Sequence, residues 1–232
     1  MSDGAPCIVL AGGLGTRLRS VVADRPKCLS PVGDRSFLQI QLRSLAGHGI
    51  DRFVLSLGYM ADAVLDAVPT LLATGRVECV VEPEPLGTGG AVLYAMDRLG
   101  LDEAIVANGD TFVDADLGAL VPPLERSGGE SMRVAAVAVD DRARYGGMTL
   151  DGARIDGFVE KGLHGSGWIN AGLYRLCLDA FDDRRPGTAF SLESAVMPAL
   201  AGQGRLRAAR LSGTFIDIGV PDDYHRFCRT HG

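Results

Sequence analysis

The sequence predicts an α/β protein with a Rossmann-like, doubly wound, mostly parallel sheet and a small antiparallel region after it. Three features lead there. The apolar run Cys7-Ile8-Val9-Leu10 has the length and β-branched content of a buried strand, and it feeds directly into glycines. Strand candidates at 52–57, 76–82 and 104–108 alternate with helical segments near 36–48, 60–73, 87–99 and 115–127, the pattern of parallel strands with crossover helices. In the C-terminal half, segments 132–139, 148–150, 154–159 and 168–176 are strand-like without long helices between them, and helices follow near 191–201 and 221–229.

The first strand runs into Leu10-Ala11-Gly12-Gly13-Leu14-Gly15-Thr16-Arg17-Leu18. Glycines let the backbone turn sharply and aim its N–H groups at an anion, and Arg17 adds a permanent, forked positive charge. A strand, a glycine-rich turn and a basic residue make a phosphate site. Two common kinds are excluded. A P-loop needs Gly-Lys followed by Ser or Thr, a triplet the chain lacks. The dinucleotide fingerprint needs a third glycine where Leu18 stands, and an acidic residue ending the second strand, where 53–58 offers none. With Pro26-Lys27 just beyond, the pattern resembles the signature of the sugar-1-phosphate nucleotidylyltransferases, the enzymes that make nucleotide-sugars. The resemblance covers essentially the whole chain and implies a glycosyltransferase-A-like nucleotidyltransferase fold. It further implies that Leu10, Ala11, Gly12, Gly13, Gly15, Thr16 and Arg17 hold the triphosphate of an incoming nucleotide.

Lysine usage adds an independent sign. Of 23 basic side chains only Lys27 and Lys161 are lysines. A compact ammonium serves a tight pocket in a way a planar guanidinium does not. Chance survival is the plain alternative. The resemblance implies that Lys27 faces the nucleotide and Lys161 the sugar phosphate.

Asn108-Gly109-Asp110 ends the strand at 104–108, where ligands of open α/β sheets collect. A second carboxylate, Asp217, stands in Phe215-Ile216-Asp217-Ile218-Gly219. An aspartate after a strand is ordinarily a turn or cap residue, and Asp114 or Asp116 would cap the helix expected at 115–127. Two carboxylates with phosphate oxygens and water suit Mg²⁺, which takes hard oxygen ligands and few of them from protein. The resemblance implies that Asp110 and Asp217 are this pair.

The segment Glu82-Pro83-Glu84-Pro85-Leu86-Gly87-Thr88-Gly89-Gly90-Ala91 leads into the helix at 87–99. Its prolines fix an extended approach, and its glycines let a ring lie close to the backbone. The family holds the nucleobase here, with Glu82, Leu86, Gly87 and Thr88 in the matching positions. A carboxylate only accepts hydrogen bonds, so Glu82 suits the adjacent N1–H and 2-amino donors of guanine. The single ring N–H of thymine or uracil would also be served, and a solvated turn is the plain alternative.

On the sugar side, Tyr145-Gly146-Gly147 resembles the family's turn whose backbone, here Gly146, contacts sugar hydroxyls. Phe158-Val159-Glu160-Lys161 sets a carboxylate for two hydroxyls beside the phosphate lysine. Gly162 replaces a proline frequent in the family, which makes 162–167, with His164, a candidate lid. Asn170, in Asn170-Ala171-Gly172-Leu173-Tyr174, matches the family's hydroxyl ligand, and Asn108 is grouped with it. Phe190-Ser191-Leu192-Glu193 resembles the helix start of mannose- and heptose-type members, with Ser191 either N-cap or ligand.

Composition bounds the rest. A chain of 232 residues, 47% hydrophobic and net −6, can bury a core unaided and reads as one domain over 1–232. The resemblance makes 1–130 its nucleotide-binding half and 131–232 its sugar-binding half, with no C-terminal β-helix. No basic tract suggests nucleic acid, no apolar run reaches the roughly 18 residues of a membrane span, and no signal-peptide pattern opens the chain. Five scattered cysteines without metal-ligand spacing read as reduced thiols of a cytoplasmic protein. The four histidines form no cluster, and covalent catalysis is not implied. The chain is also a candidate homo-oligomer.

Within the family, the sequence is most similar to the D-glycero-α-D-manno-heptose 1-phosphate guanylyltransferases. That similarity implies transfer of GMP from GTP to the sugar 1-phosphate with Mg²⁺, releasing pyrophosphate and forming a nucleotide-sugar for surface polysaccharide. Catalysis would rest on Arg17, Lys27 and Asp110. Mannose-1-phosphate guanylyltransferases and uridylyltransferases share much of the pattern. A non-catalytic nucleotide-sugar sensor is the alternative from another class, although a sensor needs no metal carboxylates.

Overall fold

The structure, a computed structural model, describes residues 4–13, 25–71 and 76–232. It forms two compact units, one of Met1–Pro85, Ala107–Phe112 and Ile216–Gly232, the other of Leu86–Val106 and Val113–Phe215. The units interleave along the chain and do not divide at residue 130.

In the first unit the strand Arg52–Leu57 pairs in parallel with Cys7–Leu10 on one side and Arg76–Val81 on the other. Cys7, Ile8, Val9, Phe53, Val54 and Leu55 are fully buried, as continuous apolar strands covered on both faces must be. The helix Phe37–Gly47 starts with a capping box. The Ser36 hydroxyl accepts from the Gln39 N–H at 3.3 Å, and Gln39 Oε1 accepts from the Ser36 N–H at 2.7 Å. Its apolar face joins a cluster of Val32, Phe37, Phe112, Ile216, Ile218, Tyr224 and Phe227. The Phe227 ring, on the helix Pro221–His231, lies 5.1 Å from that of Phe37 and 5.0 Å from that of Phe112. Each phenylalanine so buried contributes about 1.5–3 kcal/mol. This cluster holds both chain segments that carry the expected metal carboxylates, because Phe112 follows Asp110 by two residues and Ile216 and Ile218 flank Asp217.

In the second unit Gly167–Cys177 pairs antiparallel with Met132–Val139, which pairs in parallel with Leu206–Leu211. Arg154–Val159 follows, antiparallel to both Leu206–Leu211 and Gly147–Asp151. The register of Gly167–Cys177 shifts between Asn170 and Tyr174, with Gly172 at φ +70°. The helix Gly87–Leu99 ends on Gly100 in the left-handed conformation, the usual glycine stop.

Three sequence expectations change. No α-helix forms at 115–127. Thr111–Ala115 is a strand beside Gly213–Asp217, Asp116 Oδ1 accepts from the Gly118 N–H at 2.9 Å in a turn, and Pro122 and Pro123 lack the N–H a helix needs. Asp114 and Asp116 therefore cap nothing. Leu206–Leu211, unassigned from sequence, is a strand despite its alanine, arginine and leucine content, since pairing on both sides overrides a helical preference. The helix expected over 191–201 opens as a π-turn, Leu192–Val196, before Met197–Gly202.

Candidate active site

In the first unit Lys27, Asp110 and Asp217 converge. Lys27 opens a short 3-10 turn after Pro26, and its carbonyl accepts from the Ser30 N–H at 3.0 Å and the Ser30 hydroxyl at 2.7 Å. The Lys27 ammonium donates to Asp110 Oδ2 at 2.6 Å and lies 3.8 Å from Asp217 Oδ1. The lysine side chain is 9% exposed, against 33% for Asp110 and 17% for Asp217. The carboxylates are therefore the solvent-facing part of the cluster.

Backbone contacts fix the two carboxylates. The Ile218 N–H donates to the Asp110 carbonyl at 3.0 Å, and Asp217 Oδ1 accepts from the Gly219 N–H at 2.8 Å. The Gly109 N–H donates to the Leu10 carbonyl at 3.1 Å, and a Cβ at Gly109 would overlap that carbonyl, so glycine is required between Asn108 and Asp110. Gln41 was not anticipated. It is buried on an otherwise apolar helix face, and its amide donates to the carbonyls of Asn108 and Thr111, each at 2.8 Å, clamping the turn that presents Asp110. The signal available in the sequence was a polar residue between Ile40 and Leu42. Asn108 Oδ1 is a buried acceptor without a hydrogen bond among the described residues.

Leu10, Ala11, Gly12 and Gly13 leave the first strand as expected. The Ala11 N–H donates to the Ser56 carbonyl at 2.9 Å, and the Gly12 carbonyl accepts from the Tyr59 N–H at 3.2 Å. Gly15, Thr16 and Arg17 lie outside the described residues. Glu82 follows the strand Arg76–Val81, half-buried, and its Oε1 accepts from the Ser56 hydroxyl at 3.4 Å. Burial pushes the thiol of Cys28, beside Lys27, up to about 12, which leaves it no nucleophile near neutrality.

In the second unit the glycines in the first turn of the helix Gly87–Leu99 lie against the protein's own chain. A Cβ at Gly87, where φ is +68°, would stand 2.7 Å from the Phe190 carbonyl, and one at Gly89 would overlap the Phe190 ring. The side-chain ring packed against Gly89 is thus that of Phe190. Leu86 is buried, and its carbonyl accepts from the Phe190 N–H at 2.9 Å. The Thr88 hydroxyl donates to Glu193 Oε2 at 2.6 Å and accepts from the Leu192 N–H at 2.9 Å. Ser191 Oγ caps the π-turn by accepting from the Ser194 N–H at 3.1 Å.

Gly146 sits at φ +77° with Val159 O and Lys161 Cγ against it. Glu160 and Lys161 are exposed, and Lys161 makes no ion pair among the described residues. The 162–167 loop is fastened to 141–143. The Gly162 N–H donates to the Ala143 carbonyl at 2.8 Å, the Arg142 N–H to the Gly165 carbonyl at 3.0 Å, and His164 Nδ1 lies 2.8 Å from Asp141 Oδ2. The hydrogen bond with His164 holds the Asp141 carboxyl below the usual range. Asn170 Nδ2 donates to the Tyr174 hydroxyl at 2.9 Å, and Asn170 Oδ1 accepts from the Gly172 N–H at 2.9 Å.

The nucleotidyl transferase family profile matches residues 7–230. A D-glycero-alpha-D-manno-heptose 1-phosphate guanylyltransferase of Campylobacter jejuni is 35% identical over 221 residues, 95% of this chain and 97% of its own. One from Aneurinibacillus thermoaerophilus is 33% identical, covering 94% of this chain and 95% of its own. The crystal structure of HddC from Yersinia pseudotuberculosis complexed with GMP-PN superposes with a TM-score of 0.85 at 36% identity, over 98% of this chain and 100% of HddC. By the extent of these matches, the chain is an enzyme of the nucleotidyl transferase family.

Proposed function

We propose that this transferase moves GMP from GTP onto a sugar 1-phosphate, with D-glycero-α-D-manno-heptose 1-phosphate as the acceptor. The observation that carries the reading is the Lys27 ammonium shared between Asp110 and Asp217. The acceptor and the base are supported by the names of the relatives from Campylobacter jejuni and Aneurinibacillus thermoaerophilus and by the GMP-PN held by HddC.

The reaction forms a bond between an oxygen of the sugar phosphate and the α-phosphorus of GTP. The bond from that phosphorus to the β-phosphate bridging oxygen breaks, and its electron pair leaves with pyrophosphate. The nucleophile is already an anion near pH 7, so no side chain has to take a proton. The protein's task is positioning and charge neutralisation. Lys27 stabilises the charge that develops at the α-phosphate, Arg17 neutralises the pyrophosphate portion, and Lys161 meets the acceptor phosphate. Glu82 accepts from guanine, while Glu160, Asn170 and the Gly146 backbone address acceptor hydroxyls.

The donor set fits a hard divalent cation. Two carboxylates converge on one cation and present hard oxygen donors partly in solvent. Asp110 and Asp217 would hold Mg²⁺, which supplies charge neutralisation at the triphosphate when bound. The five free thiols support a reducing, cytoplasmic setting. Among the described residues no helix is long and apolar enough to cross a membrane.

The test is pyrophosphate release with each common nucleoside triphosphate against a panel of sugar 1-phosphates. GTP with the manno-heptose 1-phosphate is expected to turn over fastest. Preference for UTP or dTTP overturns the guanine assignment, and pyrophosphate release with another sugar 1-phosphate but not with the manno-heptose overturns the acceptor assignment.

A further inference from the structure

We propose that Glu193 is a positioning residue that fixes the Asn170 amide, through the Tyr174 hydroxyl, as a hydrogen-bond donor to one hydroxyl of the acceptor sugar. This deepens the reading of Asn170 as an acceptor ligand and rests on it. Glu193 gathers three hydroxyls. Thr88 donates to its Oε2 at 2.6 Å, Ser191 to the same oxygen at 3.0 Å, and Tyr174 to Oε1 at 3.4 Å.

An ionised carboxylate can only accept, so it dictates the direction of each hydroxyl proton. The Tyr174 proton points to Glu193, which leaves the phenol oxygen as acceptor for the Asn170 N–H at 2.9 Å. The Gly172 N–H holds Asn170 Oδ1 from the other side at 2.9 Å. Both ends of the amide are thereby assigned, and an amide flip would break both bonds. The second hydrogen on Asn170 Nδ2 has the Met197 sulfur at 3.9 Å, a weak acceptor that a sugar oxygen would displace.

The backbone is shaped for this contact. Four residues of regular strand span about 13 Å, too far for an easy bond between Asn170 and Tyr174. The register shift between those residues, with Gly172 left-handed, shortens the interval. On the opposite side, the π-turn Leu192–Val196 presents Glu193, and the Leu192 N–H donates to Thr88 Oγ1 at 2.9 Å. π-turns are rare, and they occur frequently at functional sites. The same carboxylate therefore joins the strand carrying Asn170 to the start of the helix Gly87–Leu99.

The test is a set of steady-state measurements on Asn170→Ala, Tyr174→Phe, Glu193→Gln and the double variant Asn170→Ala/Tyr174→Phe, each with its thermal midpoint. Tyr174→Phe keeps the fully buried ring and removes only the relay oxygen. Asn170→Ala is expected to raise KM for the sugar 1-phosphate about tenfold, and Tyr174→Phe and Glu193→Gln by a smaller factor. Tyr174→Phe should leave KM for GTP unchanged and add nothing in the Asn170→Ala background. If Asn170→Ala raises the sugar KM while Tyr174→Phe lowers only the thermal midpoint, or acts additively, the role of Glu193 is refuted and the acceptor site survives. If Asn170→Ala leaves the sugar KM unchanged, the acceptor site is refuted and this role falls with it.

Discussion

In the first unit one ammonium, Lys27, is shared by two carboxylates, whereas in the second one carboxylate, Glu193, is shared by three hydroxyls. The two arrangements suit different work. The first leaves two carboxylates partly in solvent around one enclosed ammonium, the donor set on which the proposed Mg²⁺ site rests. In the second, neutral donors surround one charge, and each bond orients a named side chain without inviting a new ion. On the proposed reading, charge handling and geometric selection are thus built from different chemistry on different elements.

Breaking the first cluster should have the largest effect. Asp110→Asn keeps the shape but removes a charge from the shared site, and kcat is expected to fall by about two to three orders of magnitude. The thermal midpoint should change little, because Asp110 is a third exposed. Full activity in this variant would mean that the charged cluster is only structural.

Glu82 offers the next effect. If it accepts from both N1–H and the 2-amino group of guanine, inosine triphosphate should bind more weakly than GTP by about 1–3 kcal/mol, the cost of an unpaired buried acceptor. Calorimetry with Mg²⁺ present measures the difference, and Glu82→Gln should shrink it. Equal affinities would remove Glu82 from base recognition.

Lysine chemistry sharpens the contrast further. Lys27→Arg and Lys161→Arg should each lose about tenfold in kcat/KM, roughly 1.4 kcal/mol of transition-state stabilisation. Lys27 is nearly enclosed and a guanidinium does not fit its place between two carboxylates. Lys161 is exposed, so its loss should fall mainly on the sugar phosphate KM. Unchanged kinetics in both variants would make the survival of these lysines incidental.

The smallest effect concerns pH. Burial holds the thiols of Cys7 and Cys28 up to about 12, from an ordinary 9.0. Above pH 9 the unfolded chain loses these protons while the folded chain keeps them, so stability falls as pH rises. Urea unfolding from pH 8 to about 10.5 should show that decline, with a shallower slope in Cys28→Ala. Identical slopes would place the loss elsewhere.

The reach of the sequence follows the same division. Lys27, Asp110 and Asp217 were legible because their residue types announce charge chemistry and each stands beside a recognisable strand or turn. Gln41 and Glu193 were not, because a polar side chain reveals its hydrogen-bond partners only after distant segments pack. The glycines among 87–90 read from sequence as room for a nucleobase, while the packing of the Phe190 ring on Gly89, 101 residues along the chain, is visible only in the fold. The missing helix at 115–127 and the strand Leu206–Leu211 share a cause. Local preference favoured one conformation, and the prolines in one case and sheet pairing in the other decided against it.

The central claim is that two carboxylates and one lysine form the reaction centre, and Asp217→Asn tests it most directly. Initial rates of pyrophosphate release from GTP and the sugar 1-phosphate would be followed while Mg²⁺ is titrated, for wild type and variant. The account predicts that the variant needs far more Mg²⁺ for half-maximal rate and stays well below the wild-type maximum, with an unchanged thermal midpoint. Full activity of Asp217→Asn at low Mg²⁺ would contradict it.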